Sequence, residues 1–169
     1  LGTAGLAYGA MTASSIWAYA REEAQETAET LGVSIADAVL LENQGALRAR
    51  GDAATAVISA IYRSAATAQQ SRQAAREQAL AFLSSQRVGH AGYVFAFDSY
   101  GQLAYHPFEE ELGPDQSETP VIRRILEQGS GYLRYFWQNP GESIVNDKYA
   151  YVSYFEPWDW YVVATDYAA

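Results

Sequence analysis

The sequence predicts an α+β fold in which long N-terminal helices pack on a mostly antiparallel five-stranded sheet. All five prolines lie between Pro107 and Pro157, whereas the first 90 residues are rich in Ala, Glu, Gln, Arg and Leu, which favour uninterrupted helices. After Gly89 the spacing of apolar residues changes from about 3.6 to about 2, the period of a strand. A chain of 169 residues is long enough for one substantial core. One domain over 1–169 is therefore expected, with a long helical part over 1–88 and a sheet part over 89–169.

Two long helices are predicted in the first part. The first runs from about Ser14 to the mid-forties, because apolar residues recur in it at helical spacing. Gly45 and Gly51 bracket a predicted break, and Asp52 is a suitable N-cap for the second helix. Both helices have narrow, alanine-rich apolar faces, as expected for packing against each other or against a partner chain. The face of the second helix carries Val57, Ile58, Ile61, Tyr62, Ala65, Leu80 and Leu83.

Five strands and one short helix are predicted in the second part. The short helix spans Glu118 to Glu127, with Pro120 in its first turn and Gly129 beyond its end. Turn residues separate the strands within the first and the last pair, and a loop surrounds Pro140. The predicted strands are residues 92–98, 102–106, 131–137, 148–155 and 159–165.

The first predicted strand is apolar on both faces. Tyr93, Phe95 and Phe97 alternate with Val94 and Ala96, so neither side is built for water. The long helices can cover one face of such a sheet, but the short helix can cover only part of the other. A partly covered aromatic face is typical of a small-ligand site, and a fully packed second core is the alternative. The pattern leaves both open.

The charge distribution argues against nucleic-acid binding. The net charge is −9, and it is uneven: residues 1–90 carry 8 acidic and 7 basic side chains, whereas residues 91–169 carry 12 acidic and 4 basic. Such a surface repels phosphate backbones. No cysteine is present, which excludes disulfides and thiolate chemistry.

The first 20 residues carry no charge and are long enough to cross a bilayer. Their Thr, Ser and Gly content lowers the hydropathy, however. An Ala-rich helix that packs on its own protein is the alternative.

Little in the sequence points to catalysis or to a metal. His90 and His106 lack the helical partners and paired carboxylates of a metal site, and the acidic run at 108–111 lacks the ligand spacing of a calcium loop. No phosphate-binding glycine loop is present, and no nucleophile lies beside a base. We therefore expect neither an enzyme nor a cofactor. His106, at the end of the second strand, fits a structural role or a ligand contact equally well.

Lys148 is the only lysine in the chain. It lies at the start of an aromatic strand near Tyr149, Tyr151 and Trp137, where its ammonium group can bind an anion in an aromatic pocket. The alternative is a strand-edge lysine that prevents aggregation.

Three separated segments of the sheet part form a recognisable set: GHAGYVFAFDSYGQLAYHP, GSGYLRYFWQNPG and KYAYVSYFEPWDWYVVATDY. In order and spacing across about 90–167 they resemble the single Cache domain, type 2, of bacterial receptors, and the long helices match the architecture of that family. The resemblance implies an extracytoplasmic sensor domain with a PAS-like sheet, anchored by membrane helices in the full-length protein and attached to a chemotaxis, histidine kinase or cyclase output. Members often bind small carboxylates such as acetate, propionate, pyruvate or lactate, and we expect a homodimer through the N-terminal helix.

The resemblance also implies a set of ligand-binding residues. Lys148 is expected to pair with a carboxylate, His106 or a tyrosine hydroxyl to donate a second hydrogen bond, and aromatic rings to enclose the aliphatic tail. Val94 and Ala96 are expected to pack on a long helix. Arg123 and Arg124 are alternative cations. The implied ligand-binding residues are Tyr93, Phe95, His106, Trp137 and Lys148, with Tyr135 and Tyr151 as wall residues.

The chain departs from the family pattern at two positions. Gly113 is followed by Pro114 where the family usually has a glycine-lysine pair, and Asp166 replaces a usual glycine near the C-terminal end.

Two other hypotheses for the function keep the same fold. In one, the acidic C-terminal half attracts an amine or calcium, and in the other the domain binds a partner protein and no small ligand.

Overall fold

The computed structural model describes residues 13–68, 71–89 and 91–168, and the chain divides into two units, residues 1–41 and 42–169. Helix α1 spans Ala13–Thr67, and almost every described side chain between residues 17 and 41 is exposed. None of the helices in the described ranges has the length and apolar character needed to cross a bilayer. Residues 1–12 of the uncharged N-terminal stretch, and His90, lie outside the described residues.

The predicted helix break at Gly45 and Gly51 is wrong, because α1 continues through both glycines. The chain instead breaks after Thr67, and Ser71 caps α2 (Arg72–Ser85) by accepting a hydrogen bond from the Ala74 N–H at 3.1 Å. A single glycine weakens a helix by only about 1 kcal/mol, which tertiary packing readily outweighs. Gly51 allows the backbone of α1 to lie close to the side chain of Tyr151, since a Cβ at this position would be 2.8 Å from Cδ1 of Tyr151. Asp52 is not a cap either, and it forms an ion pair with Arg48 one turn earlier, at 3.5 Å.

The sheet has six antiparallel strands in the order β1-β2-β6-β5-β4, with β3 paired to the other part of β2. This confirms the predicted α+β class and its five strands. The additional strand, β1, has two residues and is too short to show a periodic pattern. The strands are β1 (Arg87–Val88), β2 (Gly92–Phe97), β3 (Leu103–Tyr105), β4 (Gly131–Trp137), β5 (Asn146–Phe155) and β6 (Trp160–Tyr167).

Two short helices connect β3 to β4. The acidic run after β3 forms α3 (Glu109–Leu112), and the predicted short helix is α4 (Pro120–Gln128), which begins at its proline as expected for a first-turn residue. A 3₁₀ turn (Glu156–Trp158) joins β5 to β6.

The two faces of the sheet bury two separate hydrophobic clusters. On the helix face, Val94 and Ala96 pack with Ile58 of α1 and Leu83 of α2, which confirms the predicted placement of those two strand residues. The opposite face, which we call the cavity face, is covered by the buried residues Ile122 and Ile125 of α4. Its strand residues are Tyr93, Phe95, Phe97, Leu133, Tyr135, Ala150, Val152 and Val163.

Candidate functional site

A small cavity lies between the cavity face of the sheet and the segment 109–128, which contains α3 and α4. Its volume is about 20 Å³, which is room for roughly one water molecule. Aromatic side chains from β2 and β4 form the floor, and aliphatic side chains from segment 109–128 form the roof. The lining residues are Tyr93, Phe95, Leu103, His106, Leu112, Gln116, Thr119, Val121, Ile122, Tyr135 and Trp137.

The roof is held in place by Gln116, a buried residue that sequence reasoning missed. Its side-chain amide donates to the carbonyl oxygens of Leu112 at 2.8 Å and Gly113 at 3.2 Å, and its side-chain oxygen accepts from the Thr119 hydroxyl at 2.8 Å. These bonds connect the end of α3 to the start of α4. The chain therefore stabilises this connection without the glycine-lysine pair that its family resemblance leads one to expect.

Lys148 lies behind the cavity floor and is completely buried. It is the cross-strand partner of Tyr135 on β4 and of Tyr167 on β6. Its ammonium group donates to the Tyr93 hydroxyl at 3.2 Å, and Nζ lies 4.3 Å from the ring centroid of Tyr93 and 4.5 Å from that of Tyr167. In the part of the chain that the structure describes, no carboxylate forms an ion pair with it.

Burial lowers the pKa of Lys148 to about 8, and the carboxylates of Glu142 and Asp166 oppose this decrease. The side chain therefore remains mostly a cation at neutral pH. A buried cation is costly unless an anion or several hydrogen bonds compensate it. The groups that contact the Lys148 ammonium are two aromatic ring faces and one hydroxyl. These compensate its charge only partly, so the site favours the binding of an anion.

His106 is one of the polar residues that line the cavity. Its Nδ1 accepts from the backbone N–H of Phe108 at 3.1 Å, so the proton of the neutral ring is on Nε2, for which the described residues supply no acceptor. Burial first, and then the charge of Lys148, lower the pKa of His106 to about 4, so the ring is neutral at pH 7. The ring packs edge-on against Tyr93 and Phe95, with centroids 5.2 and 5.0 Å away.

Asn139 fixes the direction of the hydrogen bonds behind the floor. It is 3% exposed, and its Oδ1 accepts from the Tyr93 hydroxyl at 2.8 Å and from Nε1 of Trp137 at 3.1 Å. Tyr93 thus donates to Asn139 and accepts from Lys148. Sequence reasoning treated Asn139 only as part of a loop, and no periodic signal distinguishes a loop amide that turns inward from one that faces water.

The hydroxyl of Tyr135 donates its hydrogen bond to Thr165, within the floor, and not to the cavity. Thr165 donates to the carbonyl oxygen of Tyr149 at 2.9 Å, so the 2.8 Å bond between Tyr135 and Thr165 runs from the tyrosine to the threonine. Burial raises the pKa of both Tyr93 and Tyr135, which keeps both phenols neutral. Neither tyrosine adds a charge to the site.

A carboxylate, Glu142, completes the network on the side away from the cavity. It accepts from the Asn139 backbone N–H at 2.9 Å, from the Asn139 amide at 3.0 Å, from the Asn146 amide at 2.9 Å and from the Tyr167 hydroxyl. Burial raises the pKa of Glu142, but these hydrogen bonds together lower it by more, so the net pKa is about 2. This residue is therefore ionised at any physiological pH.

Most of the residues implied by the resemblance lie together. Five of them line the cavity, and Lys148 is directly behind it. Tyr151 is on the opposite face, where it contacts Gly51 of α1, because successive strand residues point to alternate sides. Its predicted place in the pocket wall is therefore wrong. Arg123 and Arg124 are exposed; they bond to Glu118 and to the Arg134 carbonyl oxygen, away from the cavity. The five lining residues are Tyr93, Phe95, His106, Tyr135 and Trp137.

The arrangement is suited to binding a small ligand. Among the described side chains, no cluster of three or more His, Asp or Glu groups could hold a metal ion. The cavity offers one neutral N–H donor, aromatic and aliphatic walls, and a cation behind the floor. Such a set of groups can hold a small anion that has an apolar part.

Comparison with known proteins agrees with this description. The profile of the family Single Cache domain 2 matches residues 39–169. The chain is 29% identical over 105 residues to the methyl-accepting chemotaxis protein McpP of Pseudomonas putida, covering 54% of this chain and 19% of McpP. It is also 29% identical over 102 residues to the sensor histidine kinase MctS of Rhizobium johnstonii, covering 53% of this chain and 22% of MctS. The chain thus spans about a fifth of the length of these two relatives.

Solved structures show the same fold. A periplasmic sensor domain of a chemotaxis protein superposes with a TM-score of 0.65 at 26% identity, covering 77% of this chain and 98% of that one. A Cache chemosensory domain described for carboxylic acid recognition also gives 0.65, at 23% identity, covering 79% and 97%. The family and these neighbours are sensors rather than enzymes, and they place the domain outside the cytoplasm. The chain belongs to the Single Cache domain 2 family of extracytoplasmic sensor domains.

Proposed function

We propose that the domain binds a small monocarboxylate, such as acetate, propionate, pyruvate or lactate, and thereby controls a membrane receptor in chemotaxis or two-component signalling. The observation that carries this proposal is the complete burial of Lys148 without an ion-pair partner among the described residues. Buried charges in proteins are paired. A carboxylate next to Lys148 supplies the missing partner.

The other groups of the cavity fit the rest of such a ligand. The Nε2–H of His106 is placed to donate to a carboxylate oxygen, and Phe95 and Ile122 provide apolar surface for a short aliphatic tail. A cavity of about 20 Å³ is smaller than acetate. Binding therefore requires the roof residues, such as Leu112 and Val121, to move outward, which couples ligand entry to segment 109–128.

The comparisons support the proposal at the level of the fold and the family. A domain of this fold is described as recognising carboxylic acids, and the two relatives are a chemotaxis protein and a sensor kinase. We extend this to the full-length protein as a membrane-anchored receptor.

Isothermal titration of the domain with acetate, propionate, pyruvate and lactate tests the proposal. We expect at least one of these acids to bind, and Lys148→Met to weaken that binding by at least about 100-fold, since a charge-assisted contact to a desolvated anion is lost. Arg134→Met is the matched control. It also removes a strand cation, but one that is paired with Asp147 on the exposed surface, and it should change the affinity by less than about twofold.

Other outcomes of the same titration decide against the proposal. Binding only of amines, or calcium binding that a chelator reverses, indicates a cationic ligand. Absence of binding by all the acids, together with capture of a defined periplasmic protein, indicates a partner-binding module. Unchanged affinity of Lys148→Met removes the central contact.

We further propose a homodimer through the N-terminal helix. Large apolar side chains in α1 are exposed in the single chain, including Trp17 at 75% and Leu31, Val33 and Ile35 at 57 to 64%. Sedimentation equilibrium should show a dimer that dissociates when Leu31 and Ile35, one helical turn apart, are both replaced by glutamate. A monomer at all accessible concentrations contradicts this proposal.

A further inference from the structure

Building on the anion site proposed above, we infer that Glu142 sets the charge selectivity of the pocket. Its carboxylate is linked to Lys148 through the hydrogen-bond network and repels the ligand. Acids with one negative charge are therefore accepted, and acids with two are rejected. Glu142 lies in the loop between β4 and β5, and the family resemblance did not point to it.

Two short routes connect Lys148 to Glu142. In the first, Lys148 donates to the Tyr93 hydroxyl, Tyr93 donates to Asn139 at 2.8 Å, and the Asn139 amide donates to Glu142 at 3.0 Å. In the second, the ring of Tyr167 lies 4.5 Å from Nζ of Lys148, and its hydroxyl donates to Glu142. The carboxylate is thus attached to the same network as the cation without touching it.

Glu142 is held as an anion with no neutralising partner of its own. Four donor groups fix its two oxygens, and in the described ranges no Arg, Lys or His forms an ion pair with it. Glu142 is a residue of intermediate exposure, so water screens its carboxylate in part. Its nearest opposite charge within the network is Lys148.

The balance of charge then depends on the ligand. With Lys148 and Glu142 both ionised, the charges of these two residues cancel, and a monoanion brings this group to one negative charge. A dianion brings it to two, and its repulsion by Glu142 is twice as large because the Coulomb energy is proportional to the ligand charge. Rejection of an unwanted ligand by an uncompensated charge is a general source of specificity. The other ionisable groups around Lys148 are Tyr93, His106, Tyr135, Tyr167 and Asp166, and the carboxylate of Asp166 acts on Lys148 in the same direction as that of Glu142.

The test compares Glu142→Gln with wild type, using acetate and malonate as probes at pH 7. Removing the carboxylate should tighten acetate binding about 3- to 10-fold, and malonate binding by about the square of that factor. Asp147→Asn is the matched control. It removes a carboxylate five residues away that faces Arg134, and it should change either affinity by less than about twofold.

A pH series with acetate separates this role from a structural one. The Glu142 carboxylate favours the ammonium form of Lys148, so its removal should move the loss of acetate affinity at high pH to a lower pH. Glu142→Gln should therefore bind acetate more tightly than wild type at pH 7 and lose this advantage by about pH 9. Loosened packing alone weakens binding at every pH.

The results distinguish the two proposals. If wild type binds none of the monocarboxylates, the proposed function fails and the inference fails with it. If wild type binds acetate but Glu142→Gln shifts acetate and malonate by the same factor, or behaves like Asp147→Asn, only the inference fails. Should Glu142→Gln not fold, wild type supplies the test through malonamate, which has the length of malonate and one charge fewer. Malonamate should bind at least about tenfold more tightly than malonate, and equal affinities overturn the inference.

Discussion

The buried side chains that the sheet presents on its helix face are apolar, both aliphatic and aromatic, and include Val94, Ala96, Trp160 and Val162 beneath α1 and α2. On its cavity face the same strands also present aromatic and aliphatic side chains, but the buried polar side chains of Lys148 and Thr165 lie among them, with His106 just after β3. Adjacent residues of one strand therefore serve different purposes. The first face gains free energy by excluding water, whereas the second accepts the cost of buried polar groups in exchange for a binding site.

This difference predicts that changes on the helix face alter stability and leave ligand preference unchanged, whereas changes on the cavity face alter binding and its dependence on pH. Substitutions on each face, and at the contact between α1 and the sheet, test this separation of roles.

The largest expected effect is on the helix face. Ile58 is a residue of α1 that is fully buried against the sheet. Ile58→Ala should therefore lower the free energy of unfolding by about 2 to 5 kcal/mol. The neighbouring residue Val57 is 37% exposed, and Val57→Ala should lower it by less than about 1 kcal/mol. Urea unfolding measures both. A change in which acid the folded Ile58→Ala protein prefers contradicts the separation of the two faces.

The second effect belongs to the cavity face and appears in acid. The folded-state pKa of His106 is about 4, below its ordinary value of 6.5, so the unfolded chain takes up a proton first as the pH falls. Stability should therefore decrease between pH 6.5 and 4, by roughly 3 kcal/mol in total from this residue. His106→Gln should lack most of the decrease between pH 6.5 and 5, where few carboxylates titrate. Equal slopes for the two proteins in that range contradict the prediction.

A third change should raise stability while it destroys binding. Lys148→Met replaces a buried cation with an apolar side chain of similar length, so the unliganded protein should gain about 1 to 2 kcal/mol at pH 7. The gain should shrink as the pH rises from about 8 toward 10.5, because the wild-type lysine then becomes neutral in the folded state while the unfolded chain still holds its proton. Unfolding curves at pH 7 and 10 test both statements. A destabilised Lys148→Met protein at pH 7 indicates that the lysine is structural.

The smallest effect tests how closely α1 approaches the helix face. A Cβ added at Gly45 would meet no atom of a neighbouring element within 4 Å, so Gly45→Ala should stabilise the protein by about 0.5 to 1 kcal/mol through helix propensity. At Gly51 the same substitution brings a Cβ 2.8 Å from Tyr151, so Gly51→Ala should destabilise it by about 1 kcal/mol. Thermal unfolding of the pair is sufficient, and effects of the same sign contradict the close approach.

Periodicity predicted the strands and their faces because the strand period of 2 is fixed by geometry. The alternation places Val94 and Tyr93 on opposite faces, and the family resemblance implied that Val94 is the one that faces the long helices. Glycine misled the prediction at Gly45 and Gly51, since the residue gives the same local signal whether it breaks a helix or allows another element to approach. Tyr151 is three residues from Lys148 in β5 and therefore lies on the helix face, although the resemblance implies a position in the pocket wall.

The polar support of the site could not be predicted in the same way. Asn139 and Glu142 lie in a loop, where no periodicity links sequence position to direction, and they meet Tyr93 and Tyr167 only through pairing of distant strands. The cavity volume likewise depends on how segment 109–128 folds over the sheet. Side chains that act through a network become visible only when the tertiary structure brings their partners together.

The single lysine of this domain has a practical consequence for experiments on the purified protein. Because Lys148 is the only lysine and is completely buried, lysine labelled with ¹⁵N at Nζ introduces one side-chain nitrogen signal, and that signal comes from beside the cavity. Its NMR chemical shift would report proton loss and ligand arrival directly, without assignment of the remaining spectrum. Lys148 can therefore serve as a single-site NMR probe of the proposed ligand-binding site.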